Sequence, residues 1–379
     1  MAIYVVKSGD SVDSIAASAG VPVEKILWAN QIEYPYRLAV GQAIYLPENG
    51  TAANGRTELY FFGYAYPFIN LEVLADTLPF LTALYVFSYG FTMEGELISP
   101  RTDDTWLITA ANEAGVRPVL VLTPLDAEGH FNNELVTAVV ENSWVQERLI
   151  WNLGRTMQEK GYGGLDIDFE YVQAKDREGF AEFVSRIRQV MNLFGYPVSV
   201  ALAPKTSADQ AGLLYEGMDY GLLGEAADRV LLMTYEWGFA YGPPMAVAPI
   251  NMVRRVVGYA VTEIPVEKIS LGIPNYGYDW PLPYERGTTK AESISNLEAV
   301  KRAIDFGVEI RFDEIAQSPY YRYWQYGVQH EVWFEDVRSI KAKYDLIREY
   351  GLTGAGFWQL MNFFRPAWLL MEEMFRILR

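Results

Sequence analysis

The chain has 379 residues, half of them apolar, which is enough to fill the core of one large domain plus a small one. Lys plus Arg is 31 against 48 for Asp plus Glu, a formal net charge of −17, and no basic run interrupts the acidic background, so nucleic acid and anionic membrane surfaces are poor partners. The absence of cysteine excludes disulfides, thiolate metal sites and cysteine nucleophiles; with only His130 and His330, which read as surface or capping residues, a zinc site or a Ser-His-Asp triad is equally unsupported.

The N-terminus, MAIYVVKSGD, has neither a basic n-region nor an apolar h-region, and no apolar stretch reaches the length of a membrane span. The expectation is therefore export by a non-standard route, or a signal already removed. The first segment reads as strand, helix, helix, strand. IYVVKSGDSV breaks at Gly9-Asp10, Ser11 can cap a helix running to Ala19, VPVEKILWAN supplies a second helix, and LAVGQAIYLP returns extended. In order and composition this segment resembles a LysM domain. The resemblance implies binding of N-acetylglucosamine chains, in peptidoglycan or chitin, through two loops: Gly9, Asp10, Ser11 and Val12 in one, Asn30 to Ile32 in the other. A small unit of this shape serving only as a spacer stays open. ENGTAANGR (48–56) is polar and Gly-rich, as a flexible linker is. The division expected is a module over 1–48, a linker over 49–56 and a second domain over 57–379.

From residue 57 onward extended runs alternate with amphipathic helical stretches. The strand candidates are ELYFFGYAY (58–66), TALYVFSYG (82–90), RPVLVLTP (117–124), GGLDIDFEY (163–171), PVSVALAP (197–204), DRVLLMTYEW (228–237), KISLGIPNY (268–276) and TGAGFWQL (353–360). A helix between the fourth and fifth is marked by Phe180, Phe183, Val184, Ile187, Val190, Met191 and Phe194 at three- and four-residue spacing. Such a series fits a (β/α)8 barrel; a doubly wound sheet is the competitor, but no glycine-rich phosphate turn follows the first strand. The long gap before the eighth strand, about 281–335, predicts a small α+β insertion that walls a cleft.

In GGLDIDFEYV, Asp166, Asp168 and Glu170 alternate with Leu165, Ile167 and Phe169, giving a strand one apolar and one acidic face. Side chains on one face rise about 6.5 Å apart, so Asp166 is deep and Glu170 stands at the carboxyl end, where this fold places its active sites. Crowded carboxylates cannot all ionise, so one retains a proton, as a general acid needs. On spacing alone, a Mg²⁺ or Ca²⁺ site and a buried structural network remain open.

GGLDIDFE resembles the D-x-x-D-x-D-x-E signature of glycoside hydrolase family 18, MTYE (233–236) its M-x-Y-D motif, and GFWQL its eighth-strand sugar-platform tryptophan, here Trp358. Two departures stand out: Gly163 replaces the first acid and Glu236 the Asp after the tyrosine. The resemblance implies substrate-assisted hydrolysis with retention, without cofactor or metal. Glu170 would be the acid and then the base, Asp168 would accept the acetamido N–H, Tyr235 would donate to the acetamido oxygen, and Asp166 would share the proton. Trp358 would floor the sugar; Tyr64, Tyr276, Trp237, Met233 and Glu236 would line the cleft. Trp28, Trp106, Trp144, Trp151 and Trp368 are expected to pack.

A LysM module on such a barrel, with YEWG, NYGYDW and HEVWFEDVRSIKAKYDLI, resembles the spore cortex-lytic N-acetylglucosaminidases. The implied partner is peptidoglycan or a chitin-like polymer, met by a monomer at the spore cortex, coat or wall. A chitinase and a non-catalytic wall-binding lectin are the alternatives; lectins of this family commonly lose the acid that stands here as Glu170.

Overall fold

The computed structural model describes residues 2–47 and 56–379, so the linker expected at 49–56 lies, up to residue 55, outside the described residues. The N-terminal module pairs Ala2–Val5 antiparallel with Ala43–Leu46 around two helices, Val12–Ala19 and Val23–Asn30. Ser11 caps the first: its hydroxyl accepts from the Ser14 amide while the Ser14 hydroxyl accepts from the Ser11 amide, a reciprocal box that satisfies two otherwise orphaned donors.

The second domain is a closed barrel of parallel strands: Glu58–Ala65, Ala83–Phe91, Arg117–Leu122, Gly164–Ile167, Val198–Leu202, Arg229–Leu232, Ile269–Pro274 and Gly354–Trp358. Closure comes from the first strand, which pairs with both the second and the last. Every strand run read from the sequence is present, but most pair over a shorter length at the carboxyl end. The fourth stops at Ile167 rather than residue 171, because there the backbone leaves the sheet to form the mouth of the barrel and Tyr171 turns left-handed, φ 57°. Outward-facing Leu165, Ile167 and Phe169 are fully buried under helices. Phe169 stacks within 5.5–5.9 Å of Phe91, Phe180 and Phe183. The helix supplying the last two, Arg177–Asn192, buries Phe180, Phe183, Val184, Ile187 and Met191; Phe194 falls beyond its end and is exposed.

Between the seventh and eighth strands lies a five-stranded antiparallel sheet, in the order Glu292–Ile294, Gly277–Leu282, Val328–Trp333, Ser318–Gln325, Arg311–Asp313, with the helix Asn296–Asp305 packed on it. Its second strand in that order begins at Gly277, immediately after the seventh barrel strand. His330 is half-buried rather than free at the surface: its Nδ1 lies 2.7 Å from Asp279, a buried carboxylate that also accepts from Tyr323 and Arg302. No helix among the described residues is long and apolar enough to cross a membrane.

The expectation that five tryptophans pack is corrected for three. Trp368 is core and Trp106 is half-buried, donating to Pro67 O at 3.0 Å. Trp144 and Trp151, however, are 55% and 62% exposed. Their helix, Ser143–Lys160, turns Val145, Leu149, Leu153 and Met157 inward, and positions 144 and 151 fall outside that stripe. Trp28 is 57% exposed on the module, one face covered by the Arg365 guanidinium at 4.8 Å.

That contact belongs to a docked joint between module and barrel. The Gln31 side chain accepts from the Arg365 amide at 2.6 Å and donates to Phe363 O at 3.3 Å, and Tyr45 donates to Glu373 at 2.8 Å. The Ile310 amide donates to Val40 O at 2.9 Å, and beside it Gly41, φ 81°, leaves no room for a side chain: a Cβ would stand 1.8 Å from Ile310 O. Gly41→Ala is expected to lower stability by more than about 1 kcal/mol, because the left-handed backbone and the contact both resist a methyl group. Hydrogen exchange should then rise at 38–43 and at 308–312; unchanged exchange at the second segment would show that this contact does not hold the joint.

Candidate active site

The acidic face of the fourth strand points into the lumen, graded in burial. Asp166 is inaccessible, Asp168 is buried, and Glu170 is partly open to a cleft of about 150 Å³ that it lines with Met233, Tyr235, Glu236 and Trp237. Pro204, Leu214 and Tyr215, from the loop after the fifth strand, close the other side.

Asp166 is anchored on both oxygens. Tyr64 on the first strand donates at 2.9 Å, and Ser199, its register partner on the fifth strand, donates at 2.5 Å; Tyr85 stands behind Ser199 at 3.1 Å. Burial pushes the Asp166 carboxyl up to about 6, and those two donors limit the rise by favouring its charged form. Tyr64 is thus buried and serves Asp166, rather than lining the cleft as expected. Asp168 has no such pair: its Oδ1 is buried with no hydrogen-bond partner. Burial, then the charges of Glu170 and Asp166, hold its carboxyl well above the ordinary range. Glu170 is raised first by burial and then by Glu236.

Glu236 resolves the second departure from the expected motif. Its backbone is left-handed, φ 63°, and its carboxylate is received by the hydroxyls of Tyr276 and of Tyr278, the latter at 3.0 Å. Burial raises its pKa and the two tyrosines oppose the rise. Tyr276 is buried and reaches the site through this bond, not as an exposed platform. Tyr235 is buried, its hydroxyl hard to ionise because of burial and the nearby charges of Asp168 and Glu170. A glycine opposite makes space for its ring: a Cβ on Gly272 would lie 2.8 Å from it. Trp358 ends the eighth strand half-buried, edge-on to Tyr64 at 5.5 Å and Phe87 at 5.0 Å, one side of its ring held by aromatics. The first departure, Gly163, stands at the opposite end of the strand, where a Cβ would touch the Arg117 side chain at 2.9 Å.

Ser199, Tyr278 and Gly272 were not singled out from the sequence. Ser199 had a signal, a small polar residue on the inward face of the apolar run PVSVALAP, and Tyr278 alternates with Tyr276 in NYGYDW. Nothing in the sequence marks Gly272. In the module, the Asn30 side chain is used internally, holding Tyr45 through its backbone N–H at 2.7 Å and C=O at 2.8 Å. Ser11 and Asp10 are likewise engaged in local bonds, while Gly9 turns left-handed at φ 89°, Val12 is buried and Ile32 is half-buried. Among the described residues, no three His, Asp or Glu side chains converge as metal ligands would.

Comparison with known proteins places both halves. The family model for the LysM domain matches residues 4–47, and that for glycosyl hydrolases family 18 matches 130–362. The chain is 36% identical, over its whole length and 99% of the relative's, to the cortical fragment-lytic enzyme of Bacillus subtilis. It is 38% identical to the cortical fragment-lytic enzyme of Bacillus anthracis, over 79% of this chain and 69% of that one. The crystal structure of the spore cortex-lytic enzyme SleL of Bacillus megaterium superposes with a TM-score of 0.94 at 34% identity, covering 99% of this chain and 98% of that one. An N-terminal LysM domain, a closed barrel and a carboxyl ladder at its mouth thus coincide in one chain, which belongs to glycosyl hydrolase family 18.

Proposed function

We propose that this glycoside hydrolase cuts β-1,4 bonds after N-acetylglucosamine in spore cortex peptidoglycan or its fragments, by substrate-assisted catalysis with retention, and works at the cortex, coat or wall of the spore. The observation that carries the mechanism is the unpartnered Asp168 oxygen. It lies between an Asp166 anchored on both sides and a Glu170 open to the cleft. A buried acceptor without a donor is destabilising, and the acetamido N–H of a bound sugar is a donor of the right kind. The cortex assignment is supported by the relatives, whose names state that activity.

Glu170 donates its proton to the glycosidic oxygen as the C1–O bond breaks. The acetamido oxygen of the same sugar closes on C1, giving an oxazolinium ion and removing the need for a second carboxylate as nucleophile. Asp168 accepts the acetamido N–H and, passing its own proton towards Asp166, becomes the anion that faces the positive ring. Tyr235 donates to the acetamido oxygen and aims it at C1. The Glu170 carboxylate then takes a proton from water, whose oxygen bonds to C1 on the face the leaving group vacated as the C1 bond to the acetamido oxygen breaks, restoring the acetamide and Glu170 as the acid. Trp358 supports the distorted ring, with Met233, Glu236 and Trp237 along the wall. Such groups act at full strength because they are oriented beforehand in a site largely shielded from water.

Glu170→Gln should lower turnover by about 10²- to 10⁴-fold while leaving wall binding in place. Mass spectrometry of digests of spore cortex against chitin oligomers reads both bond and substrate; release from chitin alone would move the assignment to a chitinase, and full turnover in the variant would remove Glu170 from the reaction. Tyr235→Phe should cost roughly 10²-fold in kcat, the range for one preorganised donor, with a smaller change in KM.

The pH dependence has a definite sign. The acid must be protonated, so activity falls as pH rises through the Glu170 pKa, which burial and the Glu236 charge hold above that of an ordinary glutamate. Glu236→Gln removes a negative neighbour, lets Glu170 ionise sooner, and should move the alkaline limb of the kcat/KM profile to lower pH. A limb that stays in place would mean Glu236 does not act on Glu170 electrostatically.

A further inference from the structure

Past the fifth barrel strand, Val198–Leu202, the chain runs from residue 203 to 219 before the helix Tyr220–Ala226 begins. A stretch of that length without helix or strand is uncommon in a compact domain and ordinarily serves a site. Its base is fastened by Tyr220, whose hydroxyl donates to Ala203 O at 2.6 Å and accepts from the Lys205 amide at 2.9 Å. Within the loop Lys205 is only 2% exposed, and its Nζ donates to Met218 O at 2.7 Å and to Ala208 O at 3.1 Å.

A buried ammonium is costly to desolvate, and two neutral carbonyls offset that cost less than a carboxylate would. Burial accordingly lowers the Lys205 pKa. The catalytic scheme does not use this cation, so its effect must come through the carbonyls it holds. One belongs to the start of the loop and the other to its end, and Met218 carries the tie onward: its N–H donates to Tyr215 O at 3.0 Å. Tyr215, with Leu214 and Pro204, forms one wall of the catalytic cleft. Behind that wall a Cβ on Gly217 would stand 2.1 Å from Val172 O, so the loop abuts the turn that follows Glu170.

The place of the wall gives it a substrate group. In the mechanism above the reacting sugar rests on Trp358, and Glu170 protonates the oxygen that joins it to the leaving group. The sugar beyond that oxygen therefore lies past Glu170, away from Trp358. Glu170 borders the cleft together with Leu214, Tyr215 and Trp237, whereas Trp358 does not line it. Half-buried apolar and aromatic side chains at 214 and 215 present a surface for the C–H face of a sugar ring.

We propose that Lys205 is a positioning residue for the leaving-group sugar: by drawing Ala208 O and Met218 O onto one ammonium it sets Leu214 and Tyr215 against the unit that departs. The inference rests on the proposed function for the identity of the reacting bond. Lys205 itself touches no substrate.

Kinetics of Lys205→Met on cortex fragments and on the methylumbelliferyl glycoside of the N-acetylglucosamine disaccharide test this, because the aryl leaving group puts no sugar against the wall. The ratio of kcat/KM on fragments to that on the aryl glycoside should fall about tenfold, mainly through KM, since the contact is lost in ground state and transition state alike. Tyr215→Ala, at a half-buried loop position where folding is not at stake, should lower the ratio similarly, and the double variant should fall no further than the lower single one. Hydrogen exchange in Lys205→Met should rise over 206–218 and not over 165–168. An unchanged ratio in either single variant, a double variant whose loss is the product of the two, or exchange unchanged over the loop would overturn the assignment. So would a Lys205→Met chain that does not fold, which would make Lys205 a residue of the core. A wild-type enzyme that cuts neither substrate would overturn the proposed function and this inference with it, whereas an intact reaction with an unchanged ratio overturns the inference alone.

Discussion

Three carboxyl groups along one strand, with a fourth from Glu236 beside them, share a lumen that water barely enters, and their mutual repulsion forbids full ionisation. The surroundings decide which of them holds charge. Asp166 has two hydroxyl donors and is the best placed to carry it; Asp168 Oδ1 has none, and burial with the neighbouring charges raises its carboxyl; Glu170 is raised by burial and by Glu236. The order along the strand is therefore graded, from an anchored carboxyl in the lumen to one that opens on the cleft. The rest of the barrel mouth serves that gradient: Tyr64 and Ser199 fix Asp166, with Tyr85 behind the serine, and the tyrosine pair after the seventh strand fixes Glu236.

The same strand shows how the fold maintains such a gradient. Its outward side chains are locked under aromatic helices, with Phe169 between Phe91 and the pair Phe180 and Phe183, so the acidic face cannot rotate away from the lumen. Pairing ends at Ile167, and the last two acids sit where the backbone is leaving the sheet, held by the Asp168 amide on Leu122 O at 2.9 Å. Rigidity below and an open mouth above are what a preorganised site requires.

The module and the insertion extend this logic from the reacting bond to the polymer. Backbone contact at Val40 and Ile310, the Gln31 bonds and the stacking of Arg365 on Trp28 set the small domain against the large one. The small domain thus sits against the barrel in a set orientation.

Period and composition in the sequence were enough to determine the eight barrel strands, the inward acids, the helix stripe of Arg177–Asn192 and the βααβ module, because each depends on neighbours in the chain or on alternation along one element. The carboxylates and Tyr235 were legible through resemblance to two family motifs, GGLDIDFE and MTYE, each contained within a few consecutive positions. Tertiary structure alone decided the partners. Ser199 meets Asp166 through register between strands, Tyr278 reaches Glu236 from the insertion, and Tyr64 turns out to anchor Asp166 rather than meet sugar. It also left Trp144 and Trp151 outside the packed stripe and placed the Gln31 turn against the insertion. Contacts of that kind join residues tens to hundreds of positions apart, and no local period encodes which of two compatible neighbours closure of the barrel will bring together.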